Sequence, residues 1–294
     1  MLINFNDYPK TDDIYAGANG GKIAILINNE VYMLKLPIHA QKNLNMIYSD
    51  SFISEYLGSQ IFNMLGIDAQ ETILGTYTYH GKELFCVACK DFTYPSYELK
   101  DFASLKNTII NSETGGYGTD INEVIETIIS QDFIDKKELL DYFWDIFVVD
   151  AFIGNWDRHN ANWGFLFNKT TKEKKIAPIF DCASSLYPQA DDKMIKERIM
   201  ISKAEILDRI YKIPTSALYQ NGHRINFYDF LISHKYKECD EAIRRIVPKI
   251  NLIEINQLID DCPGCSTIKK DFLKKMLSLR KTLILDKAMQ SIKK

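Results

Sequence analysis

Between Gly154 and Phe165 the chain reads GNWDRHNANWGF, which sets one Asp, one Arg, one His and three Asn beside two tryptophans. Asp157 and Asn162 stand five residues apart. Nineteen residues beyond Asn162, the apolar run IAPIF ends at Asp181. One amide oxygen and one carboxylate are hard donors that suit a magnesium ion shared with phosphate oxygens. A second carboxylate nearby can position a hydroxyl for attack. These are the needs of phosphoryl transfer, which asks the protein for charge neutralisation and in-line placement and for little covalent chemistry.

The same five-residue interval separates the catalytic Asp from the metal-binding Asn in the kinase loop H-R-D-L-x-x-x-N. Alone, D-x₄-N is weak, because polar surface loops produce it often. Other parts fall in the matching order. A glycine-rich stretch, Gly17, Ala18, Asn19, Gly20 and Gly21, precedes Lys22, and Lys35 follows fourteen residues after Gly21. Glu55, twenty residues after Lys35, falls in the first turn of a helix where a carboxylate can pair with that lysine. Each part has a commoner explanation: a snorkelling edge lysine, an acid in a helix's first turn, a plain loop. Their joint order favours phosphoryl transfer. The glycine stretch is not a Walker A motif, since its spacing is wrong and Ile23 follows Lys22 where Ser or Thr is required.

Positioning such groups takes two kinds of structure. KIAILI, Asn28-Asn29 and the strand that follows read as a hairpin, Ser51 to Leu65 as a helix stopped by Gly66, and residues 71–92 as further strand with a His80-Gly81 turn. Beyond Phe92 helical periods dominate, at roughly 100–111, 120–130, 136–153, 203–211, 226–234, 239–247, 251–260 and 266–291. The expected fold is α+β and two-lobed, with a small β-rich N-lobe over residues 1–92 and a larger helical C-lobe over residues 93–294. Gly154 can end the helix that delivers the Asp157 loop, and Trp156, Trp163 and Phe165 are its expected apolar anchors. Gly115 to Gly118 reads as a flexible connection.

An apolar content of 46% is ample for a core, and a net charge of −3 gives no general reason to bind nucleic acid or anionic membrane. The C-terminal residues 266–294 carry nine Lys/Arg against two Asp, and the helical spacing of their apolar residues makes the lysines the wet side of a packed helix. Two C-x-x-C pairs occur. Cys86 and Cys89 lie on a strand, where an offset of three sends the thiols to opposite faces. Cys262 and Cys265 lie in a turn without the strand-then-helix setting of a redox motif. Reduced structural thiols are the expectation for both. The N-terminus has no basic and apolar signal pattern, and no stretch is apolar enough to span a bilayer. A cytoplasmic monomer is expected.

Together, GANGGK (17–22), YMLK (32–35), GNWDRHNANW (154–163), PIFD (178–181) and SLYPQADD (185–192) resemble the HipA-like serine/threonine kinase family, in its compact, cell-translocating branch. The resemblance extends over nearly the whole chain. It implies a two-lobed kinase that binds ATP and Mg²⁺ and phosphorylates Ser or Thr hydroxyls of a protein, with autophosphorylation within its reach. Asp157 would be the base, Asn162 and Asp181 the metal ligands, and Lys35 the phosphate-contacting lysine. Residues 17 to 22 would cover the phosphates, Cys89, Lys90 and Asp91 would run along the adenine, and His159 would lie near the γ-phosphate. The resemblance also admits signal-less secretion. The chain departs from HipA proper at Ala161, where a Lys is usual, so that the missing charge falls to Arg158 or His159. It departs again at Ile14, where HipA proper carries an autoinactivating Ser. It also lacks that protein's extra N-terminal subdomain, so toxin–antitoxin behaviour does not carry over. D-R-H-N-x-N is similar to phosphoinositide kinase loops as well, which leaves a lipid or other small hydroxyl compound as the alternative acceptor and an ATP-binding pseudokinase as a further one.

Overall fold

The computed structural model describes residues 2–12, 22–37, 50–110 and 114–292. Ile14 and residues 17–21 of the glycine stretch lie outside the described residues.

Five strands form the N-terminal sheet: β1 (Ile3–Asn4), β2 (Lys22–Ile27), β3 (Glu30–Lys35), β4 (Thr72–Tyr79) and β5 (Lys82–Lys90), in the order β1-β4-β5-β3-β2. Both hairpin turns follow from local chemistry. Asn28 and Asn29 adopt φ of 51° and 65°, and His80 and Gly81 adopt 48° and 75°, the left-handed pairs that match the twist of a two-residue hairpin. The first turn sets Lys22 opposite Lys35, and the second sets Tyr79 opposite Lys82. Alternation along β5 divides the core. Cys86 and Ala88 pack with Phe5, Ile25 and Leu34 on one face, while Val87 and Cys89 join the cluster that continues into the helices on the other. The strand therefore does send Cys86 and Cys89 to opposite faces.

Helix α1 (Ser51–Met64) crosses the inner face of this sheet and stops where Gly66 takes φ of 81°. After β5 come β6 (Tyr97–Asp101), α2 (Phe102–Ile110), α3 (Ile121–Ser130) and α4 (Lys136–Ile153). Then follow β7 (Gly164–Asn168) and β8 (Lys174–Ile176), which complete a three-stranded sheet with β6. The remaining elements are α5 (Asp192–Met194) with a π turn at Ile195–Ile199, α6 (Lys203–Tyr211), the small hairpin β9 (Tyr219–Gln220) and β10 (His223–Arg224), α7 (Phe227–Ser233), α8 (Lys237–Ile246), α9 (Leu252–Asp260), α10 (Thr267–Arg280) and α11 (Asp286–Ser291). A sheet-rich N-terminal region thus sits against a helical C-terminal region.

Three features differ from the sequence expectation. The C-terminal helix is broken by a π turn at Lys281–Leu285, and two of its basic residues are interior: Lys269 is 2% exposed and Arg280 is fully buried. Each is held by backbone carbonyls. Lys269 donates to Tyr187 and Ala190, and Arg280 donates to Ala151 and Phe152 at the C-terminal end of α4, where carbonyls lack helical partners. Second, residues 114–118 are pinned: the Lys106 ammonium donates to Gly118 O at 2.5 Å, and the Asn160 amide donates to Gly116 O and Gly118 O. Third, Trp163 and Phe165 are buried as anchors, whereas Trp156 is only half-buried.

Candidate active site

Helix α4 is apolar along most of its length, and Gly154, at φ of 68°, ends it with its N–H on Asp150 O. The chain then turns sharply through Asp157. Asn155 Oδ1 accepts from the Asp157 N–H at 3.1 Å, the His159 N–H donates to Asp157 O at 2.8 Å, and the Asn162 amide nitrogen donates to the same carbonyl at 2.9 Å. The start of α2 covers the loop from outside, with the Phe102 and Ala103 N–H groups on Trp163 O and Asn160 O. With its amide nitrogen spent on Asp157 O, Asn162 keeps its side-chain oxygen as a donor of the kind a hard cation takes.

Asp181 arrives from the other direction. Residues 177–180 are tied to the start of β4, with Gln70 N–H on Ile179 O at 2.7 Å and Ile179 N–H on Asp68 O at 2.8 Å. Asp181 itself takes φ of 57°, a left-handed conformation that a non-glycine residue holds only when its surroundings over-determine it.

Lys35 joins the two regions. Its ammonium lies 2.9 Å from Glu55 Oε1 and 3.0 Å from Asp181 Oδ1. Burial alone would lower the Lys35 pKa, but Asp181 and Glu55 outweigh it and hold it well above the ordinary value. The Lys35 ammonium holds the Asp181 carboxyl below its usual range. Burial pushes Glu55 up, against the pull of Lys35, and one of its oxygens, Oε2, has no hydrogen-bond partner among the described residues. Burial likewise raises Asp157, with His159 opposing and Asp181 adding to the shift. Lys22 faces the same centre: burial and the neighbouring Lys35 lower its pKa while Asp181 raises it.

The structure therefore brings Lys22, Lys35, Glu55, Asp157, His159, Asn162 and Asp181 to one place. The Cys89–Asp91 segment is divided. The Cys89 thiol is buried and within the field of Lys35, which opposes the rise that burial imposes on it. Lys90 points elsewhere, to Glu30 at 2.7 Å and Glu71 at 3.4 Å. The N–H groups of Lys90 and Asp91 are taken by Glu71 O and Val31 O, since β5 is the central strand. Arg158 also departs from expectation. It is 7% exposed and turned into the protein, where Asp150 and backbone carbonyls hold it, so the charge that Ala161 lacks is not supplied by its guanidinium. Asp150 and Asn155, which build this support, are residues of the site's surroundings that the motif alone does not reveal. The available signal was a carboxylate inside an otherwise apolar helix, which in a folded core requires a partner.

A β-rich region whose strand lysine meets a helix glutamate, set over a helical region with a D-x₄-N loop and a strand-end Asp, defines a two-lobed kinase. Residues 16–250 match the HipA-like C-terminal domain, and the chain belongs to that family. It is 47% identical over 275 residues to the serine/threonine-protein kinase CtkA of Helicobacter pylori, covering 93% of this chain and 83% of that protein. It also superposes on the crystal structure of a Helicobacter pylori proinflammatory kinase CtkA with a TM-score of 0.92 and 44% identity, over 99% of this chain and 98% of the other. Similarity of fold alone extends to HipA of Shewanella oneidensis, solved with HipB and operator DNA, at a TM-score of 0.50 and 12% identity over 96% of this chain and 65% of that one. The chain is thus an enzyme, a kinase of the serine/threonine type. No helix among the described residues is long and apolar enough to cross a membrane.

Proposed function

We propose that the chain transfers the γ-phosphoryl group of ATP to a Ser or Thr hydroxyl of a protein, with magnesium as the metal and the lobe boundary at Phe92. The observation that carries this reading is Lys35 held at 2.9 and 3.0 Å between Glu55 and Asp181, beside the Asp157–Asn162 loop. The donor set fits magnesium: one carboxylate, Asp181, and one amide oxygen, Asn162. Bound magnesium would neutralise charge on the β- and γ-phosphates.

The chain's own residues do the rest. Glu55 fixes the reach of Lys35, and Lys35 presents its ammonium to phosphate oxygens. Lys22, opposite Lys35 across the hairpin, adds a second cation from the sheet in the region where Ala161 supplies none. Asp157 accepts the proton of the attacking hydroxyl, and burial keeps its carboxylate poorly solvated and basic for that task. The glycine stretch 17–21 is assigned to the phosphates by its place in the sequence just ahead of Lys22.

Incubation of the purified protein with labelled ATP, magnesium and generic basic proteins tests the reading, with the enzyme itself scored as an acceptor. Label on Ser or Thr is the expected result. Label on phosphoinositides and on no protein would move the acceptor to lipids, and nucleotide binding without transfer to any acceptor would make the protein a pseudokinase.

A further inference from the structure

Arg158 lies between the catalytic Asp157 and the rest of the loop, yet its guanidinium faces away from the cleft. Nε donates to Asp150 Oδ2 at 3.2 Å, Nη1 donates to both Asn162 O at 2.9 Å and Phe180 O at 2.5 Å, and Nη2 approaches Cys182 Sγ at 3.4 Å. The Phe62 ring of α1 packs against the guanidinium at 5.7 Å. One side chain thus grips the backbone of Asn162 and both neighbours of Asp181.

We propose that Arg158 is a positioning residue for the metal site, setting the distance and orientation between Asn162 and Asp181; this rests on the reading above that those two residues hold magnesium. The strain at Asp181 is the reason such a grip is needed. A left-handed Asp reverts to an ordinary conformation unless its flanks are fixed, and Arg158 fixes Phe180 O on one side and Cys182 on the other. The planar fork of arginine lets Nη1 serve the two carbonyls while Nε holds Asp150 and Nη2 reaches Cys182, a spread of fixed donors that the single nitrogen of a lysine ammonium does not offer. Asp150, only 3% exposed and braced by the Asn155 amide at 2.9 Å, supplies the charge that makes burying the guanidinium tolerable.

A purely structural ion pair would affect folding and leave metal use alone, so the test separates the two. Arg158→Lys keeps the charge and loses the fork. The double variant D150N/R158M removes both charges and guards against a failure of the single variant to fold, and melting curves establish that each is folded. ATP affinity is measured calorimetrically in EDTA and again with magnesium, on the full chain. Metal-free ATP affinity is expected to stay near parental, while the gain on adding magnesium falls by about 10- to 100-fold, the usual loss when a group supporting a metal ligand is removed. Asn162→Ala and Asp181→Asn are run alongside. If those two abolish the gain and folded R158K or D150N/R158M retains it in full, the proposal fails and the metal assignment stands. If Asn162→Ala and Asp181→Asn leave the gain intact, the metal assignment fails and takes the proposal with it.

Discussion

Lys35 on β3 and Asp181, 146 residues later, meet at 3.0 Å, so one ion pair joins the sheet-rich region to the segment that follows the Asp157–Asn162 loop. Removing Lys35 leaves Glu55, 1% exposed at its side chain, and Asp181 with no cation between them. Loss of one partner from a buried pair costs about 3–5 kcal/mol, and loss of a phosphate-directed cation costs about 10²–10³ in kcat. Lys35→Met should therefore show both a lower melting temperature and a deep loss of transfer. K35M/E55Q should recover stability and not transfer, and recovery of both would take Lys35 out of the chemistry.

Asp157→Ala should reduce phosphoryl transfer by about 10²–10⁴-fold, the range for removing a positioned general base. Nucleotide affinity, measured by calorimetry, should be little changed. Near-normal turnover would show that another group accepts the proton.

The raised Asp157 carboxyl gives this site a pH signature. A base must be deprotonated, so the acid limb of kcat/KM should fall away at a pH above the ordinary aspartate value of 3.8. The stability sign is opposite. A raised folded pKa favours the folded state most below the unfolded pKa, and that advantage is lost as pH rises through the folded value. Asp157→Asn should therefore melt at an equal or higher temperature than the parent at neutral pH, and a clear fall there would contradict the burial argument.

Gly58 of α1 faces Cys182: a Cβ there would lie 2.6 Å from the Cys182 Cβ. Gly58→Ala should cost about 1–3 kcal/mol through overpacking. Because α1 carries Glu55, transfer should fall too, with the defect in kcat. A stable and fully active variant would mean that the helix tolerates displacement.

Gly116 sits at φ of 83°, and a Cβ there would meet Ala103 O at 1.9 Å. Gly116→Ala should lose more than about 1 kcal/mol in chemical denaturation, since neither conformation nor space admits alanine. Asn160→Ala, which frees the same loop from its other side, should shift the midpoint in the same direction. An unchanged midpoint for both would make residues 114–118 the loose connection that their glycines suggest.

What the sequence discloses here is what local chemistry decides. Asn28-Asn29 and Gly154 announce their turns because few residues accept left-handed backbone, and Asp157, Asn162 and Asp181 stand out in the sequence because the chemistry proposed for them restricts both type and spacing. Of the two residues offered for the missing charge, Arg158 turns inward because its partners are a carboxylate eight residues earlier and backbone carbonyls of two segments, and carbonyls leave no mark in a residue pattern. Lys269 reads as a solvent-facing lysine for the same reason, since the Tyr187 and Ala190 carbonyls that hold it leave no such mark. The pinned Gly115–Gly118 loop depends on Lys106 and Asn160, neither of which is near it in helical or strand period.

Helix α1 is fastened to the C-terminal region at four points: Gly58 against Cys182, Phe62 against Arg158, Leu65 O under the Lys249 ammonium, and Asp50, its N-terminal cap, paired with Lys269 at 3.2 Å. Swinging the helix outward would uncover Phe62 and break two hydrogen bonds to charged groups, at a cost of roughly 5 kcal/mol. Withdrawing Glu55 would break its ion pair with Lys35 as well, so the withdrawn state is a small minority at equilibrium. The contacts that hold the helix against the C-terminal region thus also hold Glu55 2.9 Å from the Lys35 ammonium.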